Sequence, residues 1–151
     1  MNPEKLTQLI YTSAAAPGFD PTELKTILMV ARIKNVSRSV TGMLLYISGS
    51  FFQVLEGDDA TLIKLFPIIA SDPRHSNVIK IIHEPIAHRV FGDWTMGFAE
   101  VTPSDLASTE GLSDFFQQGE SLANLQPGRA KKLLSAFAQG RWRARLKGEP
   151  T

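Results

Sequence analysis

The chain has 151 residues, of which 43% are hydrophobic and 21% are charged, a composition typical of a single globular domain. It contains no cysteine, which excludes disulfides, thiolate metal sites and a cysteine nucleophile. The first residues lack a basic segment followed by an apolar run, so no secretion signal is predicted. No stretch approaches ~18 consecutive apolar residues, so no membrane-spanning helix is predicted and we expect a cytoplasmic protein.

The net charge of +1 is distributed unevenly along the chain. Residues 129–151 include seven basic residues and one acidic residue, a net charge of +6, so residues 1–128 carry −5. The basic residues are interleaved with Leu133, Leu134, Phe137, Trp142 and Leu146. This pattern favours an amphipathic helix that packs on the protein or on a partner over an arm that binds nucleic acid.

Hydrophobic periodicity and turn residues predict five strands and two helices in the first 101 residues. The strands are predicted at 5–12, 40–47, 51–56, 78–87 and 94–101, with a Ser-Gly-Ser turn joining the second strand to the third. The first helix is predicted to run from a cap at Asp20 to about Lys34, and the second to cover 58–71. This order is the ferredoxin-like β-α-β-β-α-β arrangement of an α+β fold, with a fifth strand added.

Both faces of the predicted sheet are apolar. Along the third strand Phe51, Gln53 and Leu55 share one face, and Phe52 and Val54 share the other. Right-handed crossovers place the two helices on one face of the sheet. The segment from about 112 to 146 has the pattern of two short amphipathic helices, and we expect it to cover the opposite face.

Gln53 is a polar residue in the middle of an apolar strand. A buried amide without partners costs about 1–3 kcal/mol, so this side chain needs a hydrogen bond. Tyr11 lies in the first strand, which is adjacent to the third in a ferredoxin-like sheet, so phenol and amide are expected side by side. Two interpretations stay open from these residues alone. The pair either satisfies itself or frames a polar heterocyclic ligand between the helices.

Five motifs occur in order over residues 5–101, namely LIYTS, KNVSRSVTGMLLY, FFQVLEG, DPRH and FGDWTMGF. Together they resemble the BLUF domain, the blue-light sensor that uses FAD. The resemblance implies a flavin-binding domain at 1–101 and a C-terminal helical extension at 102–151 that packs on the sheet. It also implies FAD as the cofactor, with FMN as the second candidate.

The resemblance further implies roles for individual residues. Tyr11 is the expected photoactive tyrosine, which gives an electron and a proton in the light, and Gln53 then rearranges and donates to the flavin C4 carbonyl. Trp94 and Met96 match a tryptophan and a methionine of the fifth strand that relay the signal. The residues expected to bind the cofactor are Ile27, Lys34, Asn35, Phe51, Gln53, Asp72, Arg74 and His75.

The sequence departs from the family pattern at two positions. Lys34 stands where many members have Asn or His. Ile68 stands where many members have an Arg in the second helix that helps to hold the cofactor. Neither departure involves the pair formed by Tyr11 and Gln53.

Three classes of function are consistent with the fold. We favour a photoreceptor, without enzyme activity, that signals to an unidentified downstream protein or through its own oligomer. A flavin-dependent reductase needs a second substrate site, and the sequence has no nicotinamide motif. A module that binds RNA or a small effector is the other alternative, but an RNA-recognition sheet displays aromatics on an open face. Nucleic-acid and membrane binding are not expected, and neither is a metal site.

Overall fold

The computed structural model describes residues 5–47, 49–92, 96–100 and 125–138. Within these ranges the strands are β1 (Leu6–Ala15), β2 (Thr41–Ile47), β3 (Ser50–Asp58), β4 (His75–Pro85) and β5 (Gly97–Glu100). The α-helices are α1 (Leu24–Arg38), α2 (Asp59–Ala70) and α3 (Pro127–Ala138). A short 3₁₀ helix, Pro21–Glu23, precedes α1.

The strands form one sheet in the order β4-β1-β3-β2-β5. β1 pairs antiparallel with both β3 and β4, β2 pairs antiparallel with β3, and β5 pairs parallel with β2. β1 and β3 are therefore adjacent at the centre of the sheet. The predicted ferredoxin-like α+β fold class, with an added fifth strand, is confirmed.

Each face of the sheet carries its own apolar cluster. On one face Leu9, Tyr11 and Leu55 pack against α1 and α2 through residues such as Leu28 and Leu62. We call this group the helix-layer cluster.

On the other face Ile10, Phe52 and Val54 pack in a second cluster that includes Leu133 and Leu134 of α3. We call this group the tail-side cluster. Alternate residues of β3 therefore belong to clusters on opposite faces of the sheet, which confirms that both faces are covered. Burial removes both sets of apolar side chains from water.

The first helix differs from its prediction at both ends. Asp20 does accept a hydrogen bond from the backbone amide of Thr22, 3.0 Å away, but the turn it caps is 3₁₀, and α1 begins at Leu24. The helix continues past Lys34 to Arg38 and ends at Ser39, whose left-handed backbone (φ 55°) lets its amide reach the last carbonyls.

Three strands are longer than predicted, and one of them is β3, which runs from Ser50 to Asp58 where 51–56 was predicted. β1 extends to Ala15 because it is paired on both sides, with Ala14 opposite Ser50 of β3 and opposite Ser76 of β4. β4 begins at His75, three residues before the predicted start, so part of the predicted loop belongs to the sheet. Local sequence did not indicate this because the register of β4 is irregular opposite Thr12–Ala14.

The end of the chain is described only in part. β5 is shorter than the predicted 94–101, since it begins at Gly97, and residues 93–95 and 101 lie outside the described part. Of the two helices predicted between 112 and 146, the second corresponds to α3, and the first lies almost wholly outside the described residues.

Candidate functional site

Tyr11 of β1 and Gln53 of β3 are direct partners in the sheet register. Both are buried, with 3% and 8% of their surface exposed. The phenol hydroxyl donates a hydrogen bond to Gln53 Oε1. Side chains opposite each other on antiparallel strands lie on the same face, so the register itself brings phenol and amide together.

The other end of the Gln53 amide is also engaged. Its Nε2 donates to Met96 Sδ at 3.4 Å, and Met96 is 2% exposed. The backbone carbonyl of Met96 in turn accepts a hydrogen bond of 2.8 Å from Arg32 Nε on α1. Gln53 therefore bridges a tyrosine and a thioether, which is a weak acceptor for an amide N–H.

Burial raises the pKa of the Tyr11 phenol well above its usual value, and the negative charge of Asp72 acts in the same direction. The phenol therefore keeps its proton over the physiological pH range. In this state it is a hydrogen-bond donor, and the Gln53 carbonyl is its acceptor.

A cavity of about 250 Å³ lies against this pair, between α1 and α2. Its walls come from β1, β2, β3, α1, α2 and the residues from Asp72 to the start of β4. The structure brings together here all nine residues predicted for the photoactive pair and for cofactor binding: Tyr11, Ile27, Lys34, Asn35, Phe51, Gln53, Asp72, Arg74 and His75.

His75 is fixed in the cavity wall from two sides. Its Nε2 lies 2.6 Å from the carbonyl of Ile69, which can only accept, so this nitrogen carries the proton. Its Nδ1 lies 2.7 Å from the Ser13 hydroxyl. The ring meets the rings of Tyr11 and Phe51 edge-on, with centroids 6.1 and 6.3 Å apart. His75 thus joins α2 to β1 and is a structural part of the wall.

The cavity lining includes charged groups. Asp72 and Arg74 form an ion pair with a shortest distance of 2.5 Å, and the hydrogen bonds from Arg74 hold the pKa of the Asp72 carboxyl below its usual value. This pair is neutral as a unit. Lys34 and Arg38, both on α1, add positive charge to the lining.

Asn35 has a different environment from the one its sequence position suggested. The first helix was predicted to end at about Lys34, but Asn35 lies inside α1, where it is 4% exposed and lines the cavity. The C-cap residue is Ser39. An amide at this point adds donor and acceptor capacity to the cavity wall.

The two predicted relay residues have different outcomes. Met96 contacts Gln53, but it precedes β5 and is not a strand residue, which corrects the prediction of a strand beginning at 94. Trp94 lies outside the described residues.

Sequence reasoning missed Arg32, whose contact with Met96 spans 64 positions and leaves no local signal. It also missed Val30, Ala31 and Ile69 in the lining, which the helical period of the two helices could have indicated.

Comparison with known proteins identifies the family. The family model described as sensors of blue light using FAD matches residues 6–97. The chain belongs to the BLUF family. It is therefore a blue-light sensor that uses FAD. The cavity between α1 and α2 lies wholly among elements of the matched range.

Curated relatives of this BLUF domain are longer proteins. The photoactivated adenylate cyclase subunit beta of Euglena longa is 36% identical over 114 residues, which is 75% of this chain and 13% of the relative. The alpha subunit of Euglena gracilis is 35% identical over 114 residues, 76% of this chain and 11% of the relative. The chain thus spans about one eighth of the curated relatives it matches.

Solved BLUF structures have the same fold. The BLUF protein BlrB, in its dark state, has a TM-score of 0.73 and 29% identity, with 91% of this chain and 98% of BlrB covered. The ground state of BlsA has a TM-score of 0.76 and 27% identity, with 88% and 87% covered. Both alignments extend over nearly the whole of each chain.

The cavity chemistry fits a flavin. Apolar side chains such as Ile27 and Phe51 suit a flat aromatic ring system, and the amides of Gln53 and Asn35 suit its carbonyl and N–H edge. The ammonium of Lys34 suits a phosphate. The volume of about 250 Å³ is close to the lower end of the roughly 300–1,000 Å³ found for ligand pockets, which is room for a ring system.

Two further findings concern sites of other kinds. Among the described residues, no group of three His, Cys, Asp or Glu side chains is placed to hold a metal ion. No helix in the same part of the chain is long and apolar enough to cross a membrane.

Proposed function

We propose that Tyr11 and Gln53 form the photochemical switch of this BLUF domain. The observation that carries the proposal is the continuous series of hydrogen bonds from the phenol through the Gln53 amide to Met96, in the wall of the cavity. FAD, when bound, supplies light absorption and the capacity to take up an electron. The protein groups next to it supply a proton and a rearrangeable amide.

The Gln53 amide has two arrangements of similar shape but opposite polarity. In the observed one its carbonyl accepts from Tyr11 and its N–H group faces Met96. Rotation of the amide, or transfer of a proton to its oxygen, presents different donors and acceptors to Tyr11 and to the cavity. Tyr11 and Met96 both tolerate a rearranged amide. The Tyr11 hydroxyl can donate or accept a hydrogen bond, and the Met96 thioether loses only a weak one. Such a local change is what a sensor needs in order to bias a larger element.

The proposed route of the signal is through Met96, Trp94 and the helical extension after residue 101. The packing of β3 supports this route. Gln53 is on the face of β3 that carries the helix-layer cluster, whereas its neighbours Phe52 and Val54 belong to the tail-side cluster, which includes residues of α3. A displacement of β3 at the switch therefore reaches the surface that α3 covers. Packed interiors transmit such shifts because they have few voids to absorb them.

The proposed cofactor set is the eight residues expected from the resemblance, all of which line the cavity. The amides of Gln53 and Asn35 hold the ring edge, Ile27 and Phe51 contact its faces, and Lys34 attracts the phosphates. The pair formed by Asp72 and Arg74, with His75, closes the side of the cavity near α2. The division into a flavin-binding domain at 1–101 and an extension at 102–151 stays part of this proposal.

The proposed output is a protein interaction rather than chemistry in this cavity. Relatives named photoactivated adenylate cyclases, of which this chain matches 11–13%, support an effector as the recipient of the signal. We propose an effector protein, or a second copy of this chain, as the partner. A cytoplasmic location stays a prediction.

Absorption spectroscopy of the purified flavoprotein before and after blue light tests the switch. We expect a small red shift of the flavin band that decays in the dark. Gln53→Leu and Tyr11→Phe should each bind flavin and lose the shift. Tyr46→Phe is the matched control, because Tyr46 is the other tyrosine of the chain and is buried outside the cavity lining. A Gln53→Leu protein that shifts like the wild type would show that Gln53 is not the switch.

A further inference from the structure

Arg32 connects α1 to the switch through a hydrogen bond to Met96. It lies on α1, and its Nε donates to the backbone carbonyl of Met96 at 2.8 Å. Hydrogen bonds from a guanidinium are charge-assisted and directional, because its N–H groups lie in one rigid plane. The bond therefore fixes both the distance and the direction of the Met96 backbone relative to α1.

The position of the Met96 side chain depends on where its backbone is held. Its side chain has three rotatable bonds and a polarizable sulfur, so it adapts to whatever space is offered. The contact of its Sδ with Gln53 Nε2, at 3.4 Å, is weak and cannot by itself hold the side chain in place. The position of the sulfur opposite the amide is then set by where the Met96 backbone is held.

α1 is also in direct contact with the cavity. Ile27, Lys34 and Asn35 lie on α1 and line it. The same helix thus lines the cavity and, through Arg32, contacts the neighbour of Gln53. Displacement of the Met96 backbone away from Gln53 must either break the bond to Arg32 or pull on α1.

We propose that Arg32 is a positioning residue of the light switch, which holds Met96 against Gln53 and couples displacement of Met96 to α1. The proposal rests on the proposed function of Tyr11 and Gln53. Arg32 is not among the residues that line the cavity, and the proposed role acts through its bond to Met96. Return from the lit state requires Met96 to resume its place, and Arg32 guides that return.

The first test is the rate of dark recovery in holoprotein carrying Arg32→Ala, Arg32→Lys or Arg32→Gln. We expect Arg32→Ala to bind flavin and to red-shift, but to recover about tenfold more slowly, as expected for loss of one charge-assisted hydrogen bond from the recovery transition state. Arg32→Lys should recover at an intermediate rate. Lys25→Ala is the matched control, since it removes an exposed cation from the same helix, and its recovery should be unchanged.

Three results would overturn the proposal. These are Arg32→Ala recovery within twofold of the wild type, equal slowing in Lys25→Ala, or Arg32→Lys recovering no faster than Arg32→Ala. If Arg32→Ala does not fold, Arg32→Gln, which loses the charge but keeps an NH₂ donor group, takes its place under the same criteria. Failure of the switch itself is distinguishable, because it appears as a red shift retained in Gln53→Leu.

A second test observes Met96 directly. The chain has four methionines, and their methyl groups give separate NMR signals that can be assigned by substitution. We expect the Met96 methyl signal of dark holoprotein to move or broaden in Arg32→Ala and to stay in place in Lys25→Ala. An unchanged Met96 signal in Arg32→Ala would show that Arg32 does not position this side chain.

Discussion

At the residue scale, Tyr11 and Gln53 show how a buried polar pair is made tolerable. Each satisfies the other, and the remaining N–H group of Gln53 faces a sulfur. Leaving such groups without partners would cost about 1–3 kcal/mol each. The pair is also adjustable, because an amide and a hydroxyl can exchange roles as donor and acceptor. Self-satisfaction and ligand binding, the two interpretations open from the sequence, are therefore compatible.

Tyr11 should titrate only at strongly alkaline pH. Burial raises its pKa in the folded protein above the ordinary value of about 10, so the unfolded chain loses this proton first. The stability due to the neutral phenol is thus present below pH about 10 and is lost as the pH rises further. Phenolate absorbance during an alkaline titration, compared between wild type and Tyr11→Phe, measures it. A difference spectrum that develops in the folded protein near pH 10 would contradict the expectation.

At the element scale, β2 approaches β3 more closely at Gly42 than a side chain allows. Gly42 has φ 155°, and a Cβ atom there would lie 1.9 Å from the carbonyl oxygen of Val54. That oxygen belongs to the central strand, so it cannot move aside without disturbing the ladder. The pairing of β2 with β3 therefore depends on a glycine at this position.

Gly42→Ala should destabilise the protein by at least about 2 kcal/mol, the range of substitutions that force a backbone clash. Gly18→Ala is the control. Gly18 also has positive φ, at 84°, but a Cβ there meets nothing within 4 Å, so its cost is only the conformational one of about 1–2 kcal/mol. Urea unfolding of both variants measures the difference. Equal losses would show that β2 can shift to accept a methyl group.

A second element-scale feature is the anchoring of the segment after β4. The carboxylate of Glu56, on β3, is fully buried and accepts hydrogen bonds from the amides of Val90 and Phe91 at 2.8 Å and from Gln8 Nε2 at 3.1 Å. Arg89 adds bonds to backbone carbonyls at Ser39 and Glu56. These bonds hold residues 89–91 against the sheet.

Glu56→Gln should destabilise the fold by about 1–3 kcal/mol, because an amide turns one acceptor oxygen into a donor that faces the existing donors. The comparison is Glu84→Gln, which removes a surface ion pair with Lys131 and should cost no more than about 1 kcal/mol. Thermal unfolding of the two variants measures this. A Glu56→Gln protein as stable as Glu84→Gln would mean that the segment is held by other contacts.

At the scale of the whole molecule, the cavity separates α1 from α2 and makes the helix layer dependent on what fills it. A ligand that binds only the folded state adds stability, about 2.7 kcal/mol when present at a hundredfold excess over its Kd. FAD and riboflavin share the ring system but only FAD carries phosphates. The ammonium group of Lys34 should favour FAD over riboflavin, because it attracts the phosphates that only FAD carries.

We therefore expect FAD to raise the unfolding temperature of the wild type more than riboflavin does at equal concentration. Lys34→Ala should reduce the increase due to FAD and leave the increase due to riboflavin unchanged. Lys25→Ala, on the same helix but outside the cavity lining, is the control. Equal effects of Lys34→Ala on both flavins would place the phosphates elsewhere.

Most of the fold, and the pairing of Tyr11 with Gln53, could be predicted from the sequence. Alternation along β3 indicated two covered faces, because side chains two residues apart must share a face. The order of strands and helices restricted the topology and made β1 and β3 neighbours, which placed Tyr11 beside Gln53. These inferences succeed because they depend on local periodicity and on connections that few topologies satisfy.

Other contacts between groups far apart in the sequence could not be predicted, because they depend on how the elements pack. The bond from Arg32 to Met96, the placement of His75 between Ser13 and Ile69, and the anchoring at Glu56 join elements far apart in sequence. The early start of β4 has the same origin, since pairing with β1 extends it beyond its own apolar pattern. Local sequence carries little trace of such contacts, because their energy depends on how whole elements pack and not on the propensity of any one segment.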